Sequence, residues 1–143
     1  MHLSKRTQYG LRAAVRLAGR FDEGAYVQSR DLSAEEQLPT KFLEQVLLVL
    51  RRGGLLESKV GSGGGYRLRR APRDITVGQL LAVLEPETEL DLPRPMTVGA
   101  TAVKQVATAI EQAEAERLDR WTLADLAEEA ARVSETTSAM YYI

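Results

Sequence analysis

The sequence predicts a mainly helical fold that encloses one small β-hairpin. Three observations predict it. Apolar residues recur every three or four positions in four stretches, the period of a helix with one buried face. A single glycine-rich run, Gly61-Ser62-Gly63-Gly64-Gly65, separates two short segments with strand character. Ser, Thr and Gly stand where those helices should begin and end.

Ser4 is placed to cap a helix running to about Arg20. Leu11, Ala14, Val15, Ala18 and Phe21 form its apolar stripe. Lys5, Arg12, Arg16 and Arg20 form a basic ridge on another face, which either solvates the helix or meets an anion. Asp22-Glu23-Gly24 breaks the helix. Ser29 is placed to cap a short second helix through about Glu36, with Leu32 facing inward. Pro39 suits the first turn of a third helix, where a missing N–H costs nothing. Leu43, Val46, Leu47 and Leu50 are its inner stripe, and Gly53-Gly54 ends it.

Leu55–Val60 reads as a strand, and so does Tyr66–Arg70, where Tyr66 and Leu68 alternate with Arg67 and Arg69. Thr76 should cap the next helix, whose Val77, Leu80, Leu81 and Leu84 face inward. Glu85 to Pro95 is rich in proline and acid and reads as a loop. A long helix should span Val98 to Leu118. In it Val103, Val106, Ile110 and Ala113 alternate steps of three and four, a short coiled-coil-like seam that Arg117 interrupts. Thr122 should open a last helix through about Val133, with Asp125 placed for a capping box. The end, SETTSAMYYI, has no period and reads as a flexible tail. The expected organisation is a head at 1–84, a linker loop at 85–97, the long and terminal helices at 98–133, and the tail at 134–143.

Composition narrows the function classes. With 44% hydrophobic residues, 143 residues can bury a core. The chain has no cysteine and one histidine, His2. That excludes disulfides and thiolate catalysis, and leaves a histidine-based metal site or triad without raw material. No cofactor and no bound metal are expected. No apolar run reaches the roughly 18 residues of a membrane helix, and the N-terminus lacks a signal peptide's apolar stretch. A soluble cytoplasmic chain with no membrane partner is the expectation. The net charge of −1 hides an asymmetry. Residues 1–73 hold 14 Lys/Arg against 7 Asp/Glu, hence +7; residues 74–143 hold 5 against 13, hence −8. The basic half suits an anionic polymer.

Residues 28–50 read as helix, tight turn, helix, with Leu32, Leu38, Leu43 and Val46 at the steps a helix-turn-helix needs. The turn position that often carries Gly holds Gln37, and the small residue of the first helix is Ser33. On the third helix the outward residues are Thr40, Lys41, Glu44, Gln45 and Leu48. Lys41 suits guanine or a phosphate, Gln45 adenine, and Glu44 the cytosine amino group. A solvated Glu44 paired with Lys41 or Arg51 is the plainer alternative. The glycine run is followed by a strand and lacks GK[ST], so it is a hairpin tip and not a nucleotide loop. Lys59, Arg67, Arg69 and Arg70 make the hairpin basic. A helix-turn-helix followed by a basic hairpin is a winged helix-turn-helix, which binds double-stranded DNA.

The motifs LSKRTQYGLRA (3–13), FLEQVL (42–47), GLLES (54–58), GGGYRL (63–68), ITVGQL (75–80) and TLADL (122–126) resemble the Rrf-two-type family of bacterial winged helix-turn-helix regulators. The resemblance covers residues 1 to about 130 and includes the IscR, NsrR and CymR type. It implies a homodimer joined through the long helix, with Val103, Val106, Ile110 and Ala113 between the copies, on a palindromic operator. It implies that the third helix enters the major groove and the wing the minor groove. Lys41, Glu44 and Gln45 would then read bases, and Ser4, Lys5, Arg6 and Ser29 would hold phosphates. Members often carry arginine at the wing tip; here Val60 stands there, leaving Lys59 and Ser62 as substitutes. Sensing members ligate an iron–sulfur cluster through three cysteines, and residues 85–101 contain neither Cys nor His. No cluster is expected.

The resulting expectation is a DNA-binding transcription regulator, a repressor more than an activator, and no enzyme. The rival reading is an interaction module whose acidic half docks a protein. A small-molecule or protein effector is a further expected partner; a small ligand has a place between the winged domain and the long helix near Leu90 to Val98, where Pro93, Pro95 and Met96 offer apolar contacts or merely shape the loop.

Overall fold

A computed structural model describes residues 2–86 and 89–141. The elements run α1 (Lys5–Ala18), α2 (Ser29–Glu36), α3 (Thr40–Arg52), β1 (Leu56–Lys59), β2 (Gly65–Leu68), α4 (Val77–Leu84), α5 (Val98–Leu118) and α6 (Leu123–Tyr141). Short 3₁₀ turns at Phe21–Glu23 and Pro72–Asp74 connect them.

Side-chain caps start most helices where the sequence places them. The Ser4 hydroxyl accepts the Thr7 N–H at 3.2 Å. Thr76 and Gln79 form a reciprocal capping box, each bond 3.0 Å. Thr122 and Asp125 form another at 2.9 and 3.1 Å. Two positions differ from expectation. Gln28, not Ser29, is the N-cap of α2, because Ser29 already has helical backbone and its hydroxyl turns to Glu44. Pro39 is the N-cap of α3, one residue before the first turn.

Leu43, Val46, Leu47 and Leu50 of α3 are fully buried at the centre of the head. Leu17, Leu32, Leu56, Leu68, Ile75, Leu80 and Leu84 close around them. Tyr9 of α1 meets Phe42 of α3 edge-on, ring centroids 5.2 Å apart. The deepest face of α1 is Thr7, Gly10, Ala13, Ala14 and Leu17, not the expected stripe. Only Ala14 of that stripe is fully buried; Leu11, Val15, Ala18 and Phe21 are half-buried at its edge. Close approach is the reason. A Cβ on Gly10 would stand 2.6 Å from Leu84 Cδ2, so the small-residue face is the one that lets α1 reach α4.

The α2–α3 turn is held by an unusual residue. Gln37 has φ 54° and ψ 50°, the left-handed region that a side chain enters at a cost. Buried Ser33 compensates: its hydroxyl donates to the Leu38 carbonyl and lies 2.8 Å from Thr40 Oγ1.

The strands pair antiparallel, Leu56 opposite Leu68 and Lys59 opposite Gly65. Val27 adds a one-residue bridge on the other side of β2 by exchanging both backbone bonds with Tyr66 at 2.8 Å. A Cβ on Gly65 would collide with the Val27 carbonyl, so this bridge needs glycine there.

α5 has Ala100 as its one buried residue and is otherwise largely exposed. After it, the chain returns to the head. Val77 N–H donates to Trp121 O and Leu123 N–H to Ile75 O, both 2.8 Å, and Leu123 is fully buried. α6 then packs on α1. It continues to Tyr141, so residues 134–141 are helical and not the expected loose tail. No Gly or Pro follows Gly99 to break it, and the Thr136 hydroxyl donates back to Arg132 O at 3.0 Å. Tyr142 and Ile143, the rest of that tail, lie outside the described residues. Among the described residues no helix is long and apolar enough to cross a membrane.

Replacing Gln37 by Gly should remove the left-handed strain without removing a hydrogen bond. Urea unfolding of Gln37→Gly is expected to show about 0.5–1 kcal/mol of added stability. A loss of stability would mean that the Gln37 side chain holds the turn.

Candidate nucleic-acid interface

With its inner stripe buried, α3 leaves Thr40, Lys41, Glu44 and Gln45 exposed on one side. Thr40 is tied to Ser33, which fixes the start of the helix. Glu44 Oε1 accepts from the Ser29 hydroxyl at 3.2 Å, so the two predicted residues do meet, and neither Lys41 nor Arg51 is the partner of Glu44. Lys41 and Gln45 make no side-chain hydrogen bond or ion pair among the described residues, leaving their polar ends to solvent or a ligand. Direct base reading needs such side chains: Lys as a donor at guanine, Gln as donor and acceptor at adenine, Glu as an acceptor at cytosine.

β1 follows α3 directly and packs on it. The wing's tip carries exposed Lys59 and Ser62 around Val60, which is 96% exposed. Arg67 is not part of that free charge. It pairs with Glu57, donates to the Gly24 carbonyl at 2.9 Å and stacks 4.3 Å from the Tyr26 ring centroid. The Glu57 hydrogen bond pushes the Arg67 pKa upward. Arg67 therefore fastens the wing to the segment before α2. Arg69 and Arg70 remain exposed.

The basic ridge of α1 is likewise sorted. Arg12 and Arg16 both grip Glu36, Arg12 at 3.0 Å, and Arg20 grips Glu35. Partial burial raises the Glu36 carboxyl, but the hydrogen bonds and charges of Arg12 and Arg16 outweigh it and hold the group below its usual range. These pairs clamp α1 to the end of α2.

Ser4 and Arg6 are engaged at the other end of α1. Ser4 N–H donates to Glu85 Oε1 at 3.1 Å, and Arg6 Nε donates to Leu84 O at 2.8 Å. Hydrogen bonds from Thr7 and Ser4, with the charge of Arg6, hold Glu85 below the usual carboxylate range. This junction ties α1 to the end of α4 and leaves Lys5 as the exposed cation of the segment. Sequence reasoning missed Arg30, exposed beside Ser29 at the start of α2; its adjacency to a helix N-terminus was the available signal. The predicted pairing residues sit apart, on α5. Val103, Val106 and Ile110 are 50–60% exposed, a row of apolar side chains facing water.

The chain matches the family described as "Rrf2: Iron-dependent Transcriptional regulator" over residues 3–129. It is 33% identical to the HTH-type transcriptional regulator CymR of Bacillus subtilis, all of both chains being covered. It is 35% identical to the putative HTH-type transcriptional regulator slr0846 of Synechocystis; that match spans 62% of this chain and 60% of that protein. Among solved structures, T. potens IscR superposes with a TM-score of 0.71 at 35% identity, covering 91% of this chain and 88% of that one.

The α1–α2 clamp has a pH signature. A carboxylate whose folded pKa lies below its unfolded value stabilises the fold above the unfolded value and loses that contribution as pH falls through the folded one. Glu36→Gln should therefore cost roughly 1 kcal/mol at neutral pH, a figure limited by the exposure of both arginines. The difference from the unsubstituted chain should shrink as pH drops below 4.5, the ordinary carboxyl value. Urea midpoints measured across this range check it; a difference independent of pH would disprove the electrostatic origin.

Proposed function

This chain belongs to the Rrf2 family of DNA-binding transcriptional regulators and is not an enzyme, and we propose that it works as a homodimeric repressor reading a palindromic operator through α3. One observation carries this reading: an exposed polar face on α3, with Lys41 and Gln45 unbonded among the described residues, and an uncovered apolar row on α5 belong to the same chain. The first face suits base edges and the second suits a copy of itself.

Val103, Val106, Ile110 and Ala113 cannot be buried by their own subunit. α5 is about 31 Å long at 1.5 Å per residue, and a helix with so little packing is marginal in water. Covering the three larger side chains in each of two copies is worth on the order of 5 kcal/mol before the entropy of association. Pairing by one shared seam gives a two-fold axis, and a two-fold protein selects an inverted repeat.

On each half-site, Lys41, Glu44 and Gln45 would choose bases. Ser29 would steady Glu44. Arg30, Lys59, Arg69 and Arg70, with Lys5 and Ser62, would meet phosphates and give affinity that falls steeply with salt. A dimer seated on a promoter excludes polymerase, which is the repressor reading.

The iron named in the family description does not find thiolate ligands here. The chain has no cysteine, its one histidine is His2, and among the described residues no three His, Cys, Asp or Glu side chains converge. The residues do not fit a cysteine-ligated cluster, and we route no step of regulation through one.

Two outcomes follow. Fluorescence anisotropy on an inverted-repeat duplex, selected by the protein from a random pool, should show at least a tenfold loss of affinity and relaxed base choice for Lys41→Ala/Gln45→Ala. Unchanged affinity and choice would remove α3 as the reading face. In sedimentation equilibrium, Val106→Glu/Ile110→Glu should be monomeric with its circular dichroism intact; a persisting dimer would rule out the α5 seam.

A further inference from the structure

We propose that the groove between α4 and the C-terminal half of α5 binds an organic cation with an apolar body, and that this ligand tunes the DNA-reading head. The tuning rests on the regulator reading above; the binding site does not.

The groove has a volume of about 680 Å³, within the size range of small-molecule sites. Leu3, Leu81, Ala115 and Leu118 give it apolar walls. Glu111 and Glu114, one helical turn apart on α5, stand at its edge. Neither makes an ion pair among the described residues. The other two carboxylates there are engaged. Glu85 accepts from Ser4, and Asp119 accepts the Thr76 hydroxyl at 3.2 Å. The basic side chain that lines the groove is His2; Arg117 and Arg120 line a neighbouring hollow, which Glu114 also borders.

This arrangement selects by charge. An apolar body covers the leucines, and a positive head lies against the two exposed carboxylates at the groove's edge. A neutral ligand of the same shape would desolvate those carboxylates without compensation. An anion would be repelled. The site is at the far end of α5 from the Leu90–Val98 loop, where the sequence suggested an effector.

The position explains why occupancy would reach the DNA. α4 forms one wall of the groove and packs against α3 on its other side. A Cβ on Gly53 at the end of α3 would lie 2.6 Å from a Val83 methyl, so no slack separates the two helices. α5 forms the other wall and carries the pairing seam. A ligand between them alters the angle of each head to the dimer axis, and with it the spacing of the two α3 helices.

The test uses the full chain and tetraphenylphosphonium, with tetraphenylborate as the same shape with opposite charge. Binding is read by calorimetry and by the fluorescence of Trp121, the chain's one tryptophan, two residues past Asp119. The expected result is saturable binding of one phosphonium per subunit and none of the borate. Glu111→Gln/Glu114→Gln should weaken it at least tenfold with an unchanged melting curve, and Ala115→Trp should block it by filling the groove. Equal binding of both ions, no saturable binding, or indifference to both variants would overturn the site. Binding that vanishes as the dimer forms would also overturn it and assign the groove to the second copy. Operator anisotropy on the same samples separates the two ideas. Phosphonium that binds without shifting operator affinity refutes the tuning role. A chain that never binds an inverted repeat refutes the regulator reading and leaves the site standing.

Discussion

The burial of one face of α3 sets the rest of the head. Leu43, Val46, Leu47 and Leu50 are all shut from solvent, and each neighbouring element uses them. α1 reaches them beside Tyr9 and Phe42, α2 through the Ser33-pinned turn, α4 beside Val83, and β1 by direct continuation. A helix turns about 100° per residue, so fixing four inner positions fixes where every other side chain points. The exposed row of Lys41, Glu44 and Gln45 is thus defined by subtraction. Those residues need no intramolecular contact of their own to be held in place. This is what a reading face requires: firm support with the polar ends of Lys41 and Gln45 free and that of Glu44 steadied by Ser29.

The same economy governs charge. The first half carries seven more cations than anions, yet that surplus overstates its DNA footprint. Arg12, Arg16, Arg20 and Arg67 are held by Glu36, Glu35 and Glu57. Each such surface pair contributes little stability, under about 1 kcal/mol. Its larger effect is to decide which cations stay available for phosphate. Those left exposed come from the starts of α1 and α2 (Lys5, Arg30), from both ends of α3 (Lys41, Arg51, Arg52), from the hairpin and its exit (Lys59, Arg69, Arg70) and from the turn that follows (Arg73). Screening then acts on this smaller set, which lowers the salt dependence that raw composition would imply.

Features built from neighbours in sequence were legible. The boxes at Thr76 and Thr122, the cap at Ser4, the inner stripe of α3 and the span Val98–Leu118 each depend on residues within one or two turns. Features built across the chain were not. The true inner face of α1 depends on Leu84, far along the chain, demanding a glycine at position 10. The bonds of Arg67 to Gly24 and of Arg6 to Leu84 cross 43 and 78 residues, and no local period announces them. α6 runs past its expected end because a polar tail without Gly or Pro carries no stop signal, and a helix exposed on all sides shows no apolar period. On the candidate site, the α3 face was readable because it is the complement of a local stripe. The bonds of Ser4 to Glu85 and of Arg6 to Leu84 span 81 and 78 residues, so no local spacing shows them.

α5 is fastened at one end and open along its middle. Its C-terminal end is locked to the head by the backbone exchange between Ile75–Val77 and Trp121–Leu123 and by buried Leu123. Its seam at Val103–Ile110 makes no such commitment. A rod joined this way transmits orientation better than it transmits deformation. The head's core is close-packed and resists internal change. The α4–α5 contact is slight by comparison, with an open groove between the helices. The backbone lock fixes one end of that groove, so the freedom left to α5 lies in the exposed stretch before the lock, where a small bend is carried a long way by the length of the helix. On the reading proposed above, this layout would separate three tasks along one chain: α3 would choose sequence, α5 would choose the partner, and the α4–α5 junction would set the angle at which those two choices must agree.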